Sequence, residues 1–166
     1  EIVWTEPFND YNPESIASSQ TITSYTKPLT DKNGDVVGVI SVDLALEWLS
    51  QTISSVKPYP NTYSIMLGQS GTFCVHPDST IRSKQTIFTE TMEKPNPKIT
   101  ALGKAMLAGE EGMMELKMDG RDSYVFYKPL GNTGWSTAIV CPESDIFGGY
   151  NRLLNVVIIL IIIGYL

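Results

Sequence analysis

Histidine and cysteine are almost absent. One His and two Cys among 166 residues, with no CxxC pair, cannot furnish the clustered ligands of a zinc or copper centre. Basic residues are also scarce: 12 Lys and Arg against 18 Asp and Glu leave a net charge of −6 at pH 7, so there is no basic stripe for a nucleic-acid partner. No glycine-rich phosphate loop occurs, and the glycines mark turns. Nucleophilic catalysis lacks a motif as well. His76 stands two residues from Cys74 on one apparent strand, too far along it for a direct dyad, and reads as a feature of the fold. Cys74 in "GTFCVHP" and Cys141 in "STAIVCP" read as small apolar strand residues, because two cysteines make no disulfide scaffold. The sequence therefore offers no catalytic residue, no metal site and no cofactor site.

What is present includes one long apolar run. "RLLNVVIILIIIGYL" carries no charge after Arg152, and its apolar stretch of about 14 residues makes roughly 21 Å of helix. A bilayer core needs about 20 residues, so the run reads as the start of a transmembrane helix. Continuous Ile, Val and Leu leave no polar face, which argues against a buried C-terminal helix. Glu1 is not an initiator methionine, and the chain is expected to be a piece of a longer protein.

The middle of the chain alternates as strands do. "TYSIML" and "GTFCVHP" form a hairpin about "GQS", and "KITALGKAMLAG" follows with Ile99, Leu102, Met106 and Leu107 on one helical face and Gly109 as a stop. "MMELKM", a turn at Asp119-Gly120, "DSYVFYKPL", a turn in "GNTG" and "WSTAIVCPE" complete an antiparallel meander. Strand, strand, helix and three strands is the order of a PAS-like module, whose sheet and covering segment leave a cleft suited to a small molecule. The N-terminal part repeats the end of this module: Lys27-Pro28-Leu29 matches Lys128-Pro129-Leu130, and each copy then has a turn, a β-branched strand, an acidic residue and a helix start. The expected fold is α+β. A complete PAS-like module with a five-stranded antiparallel sheet (61–147) is preceded by the last strands of a second module (1–45) and by a linker helix and loop (46–60). A juxtamembrane segment and truncated transmembrane helix (148–166) follow it.

"GVISVDLALEWL" raises one question of chemistry. Asp43 lies where strand periodicity gives way to helix periodicity, among apolar neighbours. It is either a helix N-cap or a ligand contact. Asp145 occupies the matching place in the second copy and reads as a cap.

"WTEPFND", "TSYTKPLTDKNGDVVGVISVDLALEWL", "SIMLGQSGTFCVHPD" and "YVFYKPLGNTGWSTAIVCPE", in this order before an apolar helix, resemble a double Cache domain, the tandem extracytoplasmic PAS-like sensor of bacterial transmembrane receptors. The wording is most similar to sensors attached to serine phosphatases that control sigma-factor regulators. Histidine kinases, chemotaxis domains and cyclic-dinucleotide enzymes are the other outputs found behind such sensors. The resemblance implies a membrane-distal module that binds an amino acid, amine or carboxylate, and a membrane-proximal module that relays the signal. It further implies a homodimer in the inner membrane with this region in the periplasm. Amine-binding members carry an aromatic-x-Asp motif after a proline and a second Asp at the end of the last distal strand. Phe8 and Asp10 of "PFND" and Asp43 fall on those positions, with Phe8 in place of the usual tyrosine; Trp4 is a further candidate for the pocket lining. The alternative from another class is a membrane-tethered interaction module without a small-molecule ligand; a hydrolase would need a constellation that the sequence does not contain.

Overall fold

The computed structural model describes residues 3–9, 21–82, 84–89 and 96–164. In chain order, β1 (Val3–Trp4), β2 (Phe8–Asn9), β3 (Thr21–Thr30) and β4 (Val36–Ala45) lead directly into α1 (Leu46–Ser54). Next come β5 (Tyr63–Leu67), β6 (Phe73–Val75), α2 (Pro97–Leu107), β7 (Gly112–Met118), β8 (Arg121–Pro129), β9 (Ser136–Pro142) and α3 (Glu143–Gly164). Strands β5 to β9 make one antiparallel sheet in the order β6-β5-β9-β8-β7, as the meander reading requires. Between β7 and β8, Asp119 (φ 50°) and Gly120 (φ 75°) are both left-handed, the conformation of a two-residue hairpin whose twist suits its strands.

The proximal core lies between this sheet and α2. Asn96 caps α2 by accepting from the Lys98 and Ile99 amides, and Pro97 sits in the first turn, where its missing N–H costs nothing. Leu102, Ala105 and Met106 then pack on Ile65, Leu67, Val125, Tyr127, Ala138 and Val140. The loop before α2 wedges Ile87 and Phe88 against Gly103. A Cβ at Gly103 would stand 2.7 Å from Ile87 and 2.8 Å from the Phe88 ring. Among the described residues, these apolar side chains pack the space between the sheet and α2. Gly103→Ala should consequently destabilise the protein by about 1–3 kcal/mol through overpacking, although alanine is the better helix former by about 1 kcal/mol. Urea unfolding checks the sign, and a stabilised variant would mean that the wedge yields.

The N-terminal strands form a smaller sheet centred on β3, which pairs with β1, β2 and β4. β4 has β3 on one edge and no strand on the other among the described residues. Val36, Val37, Val39, Ile40 and Val42 are each more than half exposed, so apolar side chains are bare on both faces of β4. α1 turns away from β4 and lays Leu46, Leu49 and Ile53 against Met66, Cys74, Val75 and Trp135 of the larger sheet. The linker helix expected within 46–60 ends at Ser54, ahead of Pro58 and Pro60, which cannot continue it.

α3 starts immediately after β9 and runs for 22 residues, about 33 Å, through Gly148 and Gly149 without a break. The expected juxtamembrane segment is helical here. Glu143 and Asp145 in the first turn favour this start by facing the positive end of the helix dipole. Leu153, Leu154 and the residues from Val156 to Ile162 are exposed, and the helix is long and apolar enough to be a candidate membrane span.

Candidate functional site: a polar pair in the distal sheet

Strand register corrects the sequence match between Asp43 and Asp145. With the two Lys-Pro-Leu segments superimposed, Pro28 faces Val39 in one sheet and Pro129 faces Ser136 in the other. Four residues further back, Ser24 faces Asp43, whereas Val125 faces Val140. The counterpart of Asp43 is therefore Val140, a core residue with no exposed surface. Asp43 is not a helix cap either: the N-cap of α1 is Ala45, which makes no side-chain capping bond. The match of "acidic residue, then helix" failed because Asp43 precedes its helix while Asp145 lies within α3.

In the proximal module, Val125 and Val140 help to fill the cleft under α2. Ser24 and Asp43 replace that apolar pair by a hydroxyl and a carboxylate on the equivalent face. The Ser24 hydroxyl donates to Asp43 Oδ1 at 2.5 Å. Ser24 is itself held on both backbone sides by Thr5, whose Oγ1 accepts from the Ser24 amide at 2.9 Å and whose amide donates to the Ser24 carbonyl at 3.0 Å. Thr23 adds a bond from its hydroxyl to the Thr5 carbonyl at 2.8 Å. One oxygen of Asp43 is thereby oriented from behind, and the exposed carboxylate can still accept from a cationic group.

Phe8 pairs with Ile22 and falls on the same face as Ser24 and Asp43, where it is 43% exposed. The structure thus brings two of the four sequence-derived residues onto one face. Asp10 lies outside the described residues. Trp4 pairs with Tyr25 and points to the opposite face, its ring 5.1 Å from those of both Tyr25 and Trp135. It joins the contact between the two sheets rather than the polar pair.

That contact has polar ties as well. Glu6 accepts from the Ser70 amide at 2.9 Å and from the Ser70 hydroxyl at 3.1 Å. Its carboxylate lies 2.6 Å from where a Cβ at Gly68 would stand, so a side chain there would have to displace Glu6. Arg82 pairs with Glu47 of α1 at 2.7 Å. Sequence reasoning missed Ser24, Glu6 and Arg82. Only the register of β3 against β4 reveals Ser24, and the other two act across distances that no periodicity encodes.

Cys74 and Cys141 are both buried and free. Burial, reinforced by the nearby Glu6 charge, pushes the Cys74 thiol from 9.0 up to about 12. A thiol whose native pKa exceeds its unfolded one keeps its full contribution below the unfolded value. That contribution is lost as pH rises from 9.0 toward about 12, by at most about 1.4 kcal/mol per pH unit. Iodoacetamide at pH 8 should therefore leave Cys74 unmodified in the native protein and alkylate it in urea; mass spectrometry reads the difference. Fast native alkylation would contradict the buried thiol.

A family model described as Cache domain (dCache_1) matches residues 2–150. A protein of Bacillus thuringiensis subsp. konkukian (strain 97-27), described as a probable methyl-accepting chemotaxis protein, is 27% identical over 169 residues, covering 99% of this chain and 22% of its own length. Among solved structures, the periplasmic sensory domain of the Campylobacter jejuni chemoreceptor Tlp1 superimposes with a TM-score of 0.69 at 19% identity, covering 89% of this chain and 51% of that one. The ligand-binding domain of the Pseudomonas fluorescens chemoreceptor CtaA, solved with L-isoleucine, gives a TM-score of 0.61 at 23% identity, covering 89% of this chain and 54% of that one. The chain thus spans about a fifth of the curated relative and about half of these solved sensor chains. A family match over nearly the whole chain, with the antiparallel sheets and helices described above, establishes that the protein belongs to the Cache domain family.

Proposed function

We propose that this chain is the ligand-sensing region of a transmembrane receptor, and that its distal module binds an amino acid or another small amine. The observation that carries the reading is the replacement of the core pair Val125–Val140 by Ser24–Asp43 at equivalent sheet positions. Asp43 is exposed with its Oδ1 bonded to the Ser24 hydroxyl, so the polar pair at a core-equivalent position presents a carboxylate that can accept a charge-assisted hydrogen bond from a ligand ammonium group. Phe8 completes the ligand side, Asp10 is assigned to the ligand by the sequence resemblance alone, and Trp4 lies behind the sheet. The free edge of β4 accepts a further strand of the same module, at the place β5 takes beside β9. The amino acid held by CtaA supports the ligand class.

The proximal module, with its cleft filled, acts as a relay. Ligand binding favours one arrangement of the sheets and α1, and α3 carries the change across the inner membrane from a periplasmic sensor, in a homodimer. For the output we favour a chemotaxis-type signalling domain, given the curated relative. The serine phosphatase is a second proposal and rests on the sequence resemblance alone.

The bare valines of β4 favour one other reading, a tethered module whose distal sheet binds a protein. A thermal-shift screen of the complete sensing region against amino acids, amines, carboxylates and sugars separates the two. A ligand at a hundred times its Kd stabilises the fold by about 2.7 kcal/mol, whereas silence across all four classes would reject the small-molecule reading.

A further inference from the structure

The start of α3 is tied to the turn before β5 and to strand β8, besides the strand it grows from. Asp145 accepts from the Asn61 amide at 2.7 Å and from the Asn61 side-chain amide at 2.7 Å, across a sequence separation of 84. Phe147 meets the Tyr124 ring edge-on at 6.3 Å. These ties fall within the first five residues of the helix. Beyond them, a Cβ built at Gly148 or Gly149 would meet nothing within 4 Å. Whatever enters the apolar part of α3 must therefore pass through the segment from Glu143 to Phe147.

Asn61 is also the end of a stiff connection. β4 runs from Asp43 into α1, and the segment after α1 contains Pro58 and Pro60, whose φ angles are fixed. The Thr62 amide bonds to the Tyr59 carbonyl at 3.1 Å and closes a turn there. A displacement of α1 is thus delivered to Asn61 with little slack. A helix joined only at Pro142 could pivot; the Asn61 contact fixes its direction. Because α3 extends about 33 Å, a small shift in its first turn becomes a several-fold larger one at the far end.

We propose that the two-point contact between Asn61 and Asp145 positions α3 and conveys movement of α1 into the span, bypassing the filled proximal core. This rests on the receptor reading above. The test uses the full-length receptor in nanodiscs, with Cys74→Ala and Cys141→Ala, nitroxide labels at Lys104→Cys and Tyr150→Cys, and dilution into unlabelled receptor. Electron paramagnetic resonance then gives the distribution of distances between α2 and α3. Asp145→Ala should at least double its width, and Asn61→Ala, which keeps the backbone amide, should widen it less. Asp145→Asn retains an oxygen for that amide and should stay close to the parent.

Adding L-serine or L-leucine should shift the mean distance in the parent but not in Asp145→Ala, while the calorimetric Kd changes less than threefold. An unchanged width in Asp145→Ala, in protein that melts as the parent does, overturns the proposal. If neither amino acid binds but the width still doubles, serine and leucine are excluded as ligands and the positioning role stands.

Discussion

Replacing Ser24 and Asp43 together by valine is expected to weaken amino-acid binding by the complete sensing region about 10- to 100-fold while leaving it folded. A hydrogen bond to a charged group contributes about 1.5–3 kcal/mol, and about 2.7 kcal/mol corresponds to two decades of affinity. Stability should move the other way, or hardly at all. Removing one member of a bonded polar pair strands its partner, but substituting both by apolar residues of similar shape strands nothing. The protein already contains that solution, since Val125 and Val140 occupy the equivalent places in the proximal sheet with no exposed surface. Asp43→Ala alone should also weaken binding, but it leaves the Ser24 hydroxyl without its carboxylate partner. Calorimetry with L-serine and L-leucine reads the affinity, and a melting curve reads the fold. A well-folded double variant that binds either amino acid as tightly as the parent would remove the polar pair from the ligand site.

Much of this architecture was legible in the sequence, for identifiable reasons. The proximal strands alternate apolar and polar residues, their turns carry glycine where φ is positive, and Gly109 (φ 72°) ends α2 as expected. Such signals are local, and so is the apolar run of α3. The internal repeat was legible through Lys-Pro-Leu because both segments close a strand at the same hairpin. The counterpart of Asp43 was misread because sequence spacing counts residues and not sheet partners. Register is decided by pairing along the whole strand, and a shift of a few residues exchanges a core valine for a helix aspartate. The contacts of Glu6 with Ser70 and of Asn61 with Asp145 were illegible for a related reason. Each joins residues separated by 64 or 84 positions, and only the folded chain brings them together.

Trp135→Ala should be the most destabilising single change in the contact between the sheets. The indole is 3% exposed, packs with Leu46, Met66 and Val75, and lies 5.1 Å from the Trp4 ring. Truncating such a residue costs about 3–5 kcal/mol, which in a protein of this size lowers Tm by about 10 °C. The aromatic contact with Trp4 contributes about 0.5–1.5 kcal/mol of this, and a double-mutant cycle with Trp4→Ala isolates that part. Trp135→Phe gives the decisive comparison. The indole Nε1 is buried with no hydrogen-bond partner among the described residues, so phenylalanine removes an unsatisfied polar atom and keeps most of the apolar surface. Its cost should stay below about 1.5 kcal/mol. If the stack serves as a joint between the modules, Trp135→Ala should also split one calorimetric transition into two, with the distal module still gaining stability from its ligand. Equal destabilisation by Phe and Ala would mean that the contact needs the full bicyclic indole and that a single ring cannot replace it. A single transition in Trp135→Ala would instead assign the coupling to α1, through Leu46, Leu49 and Ile53.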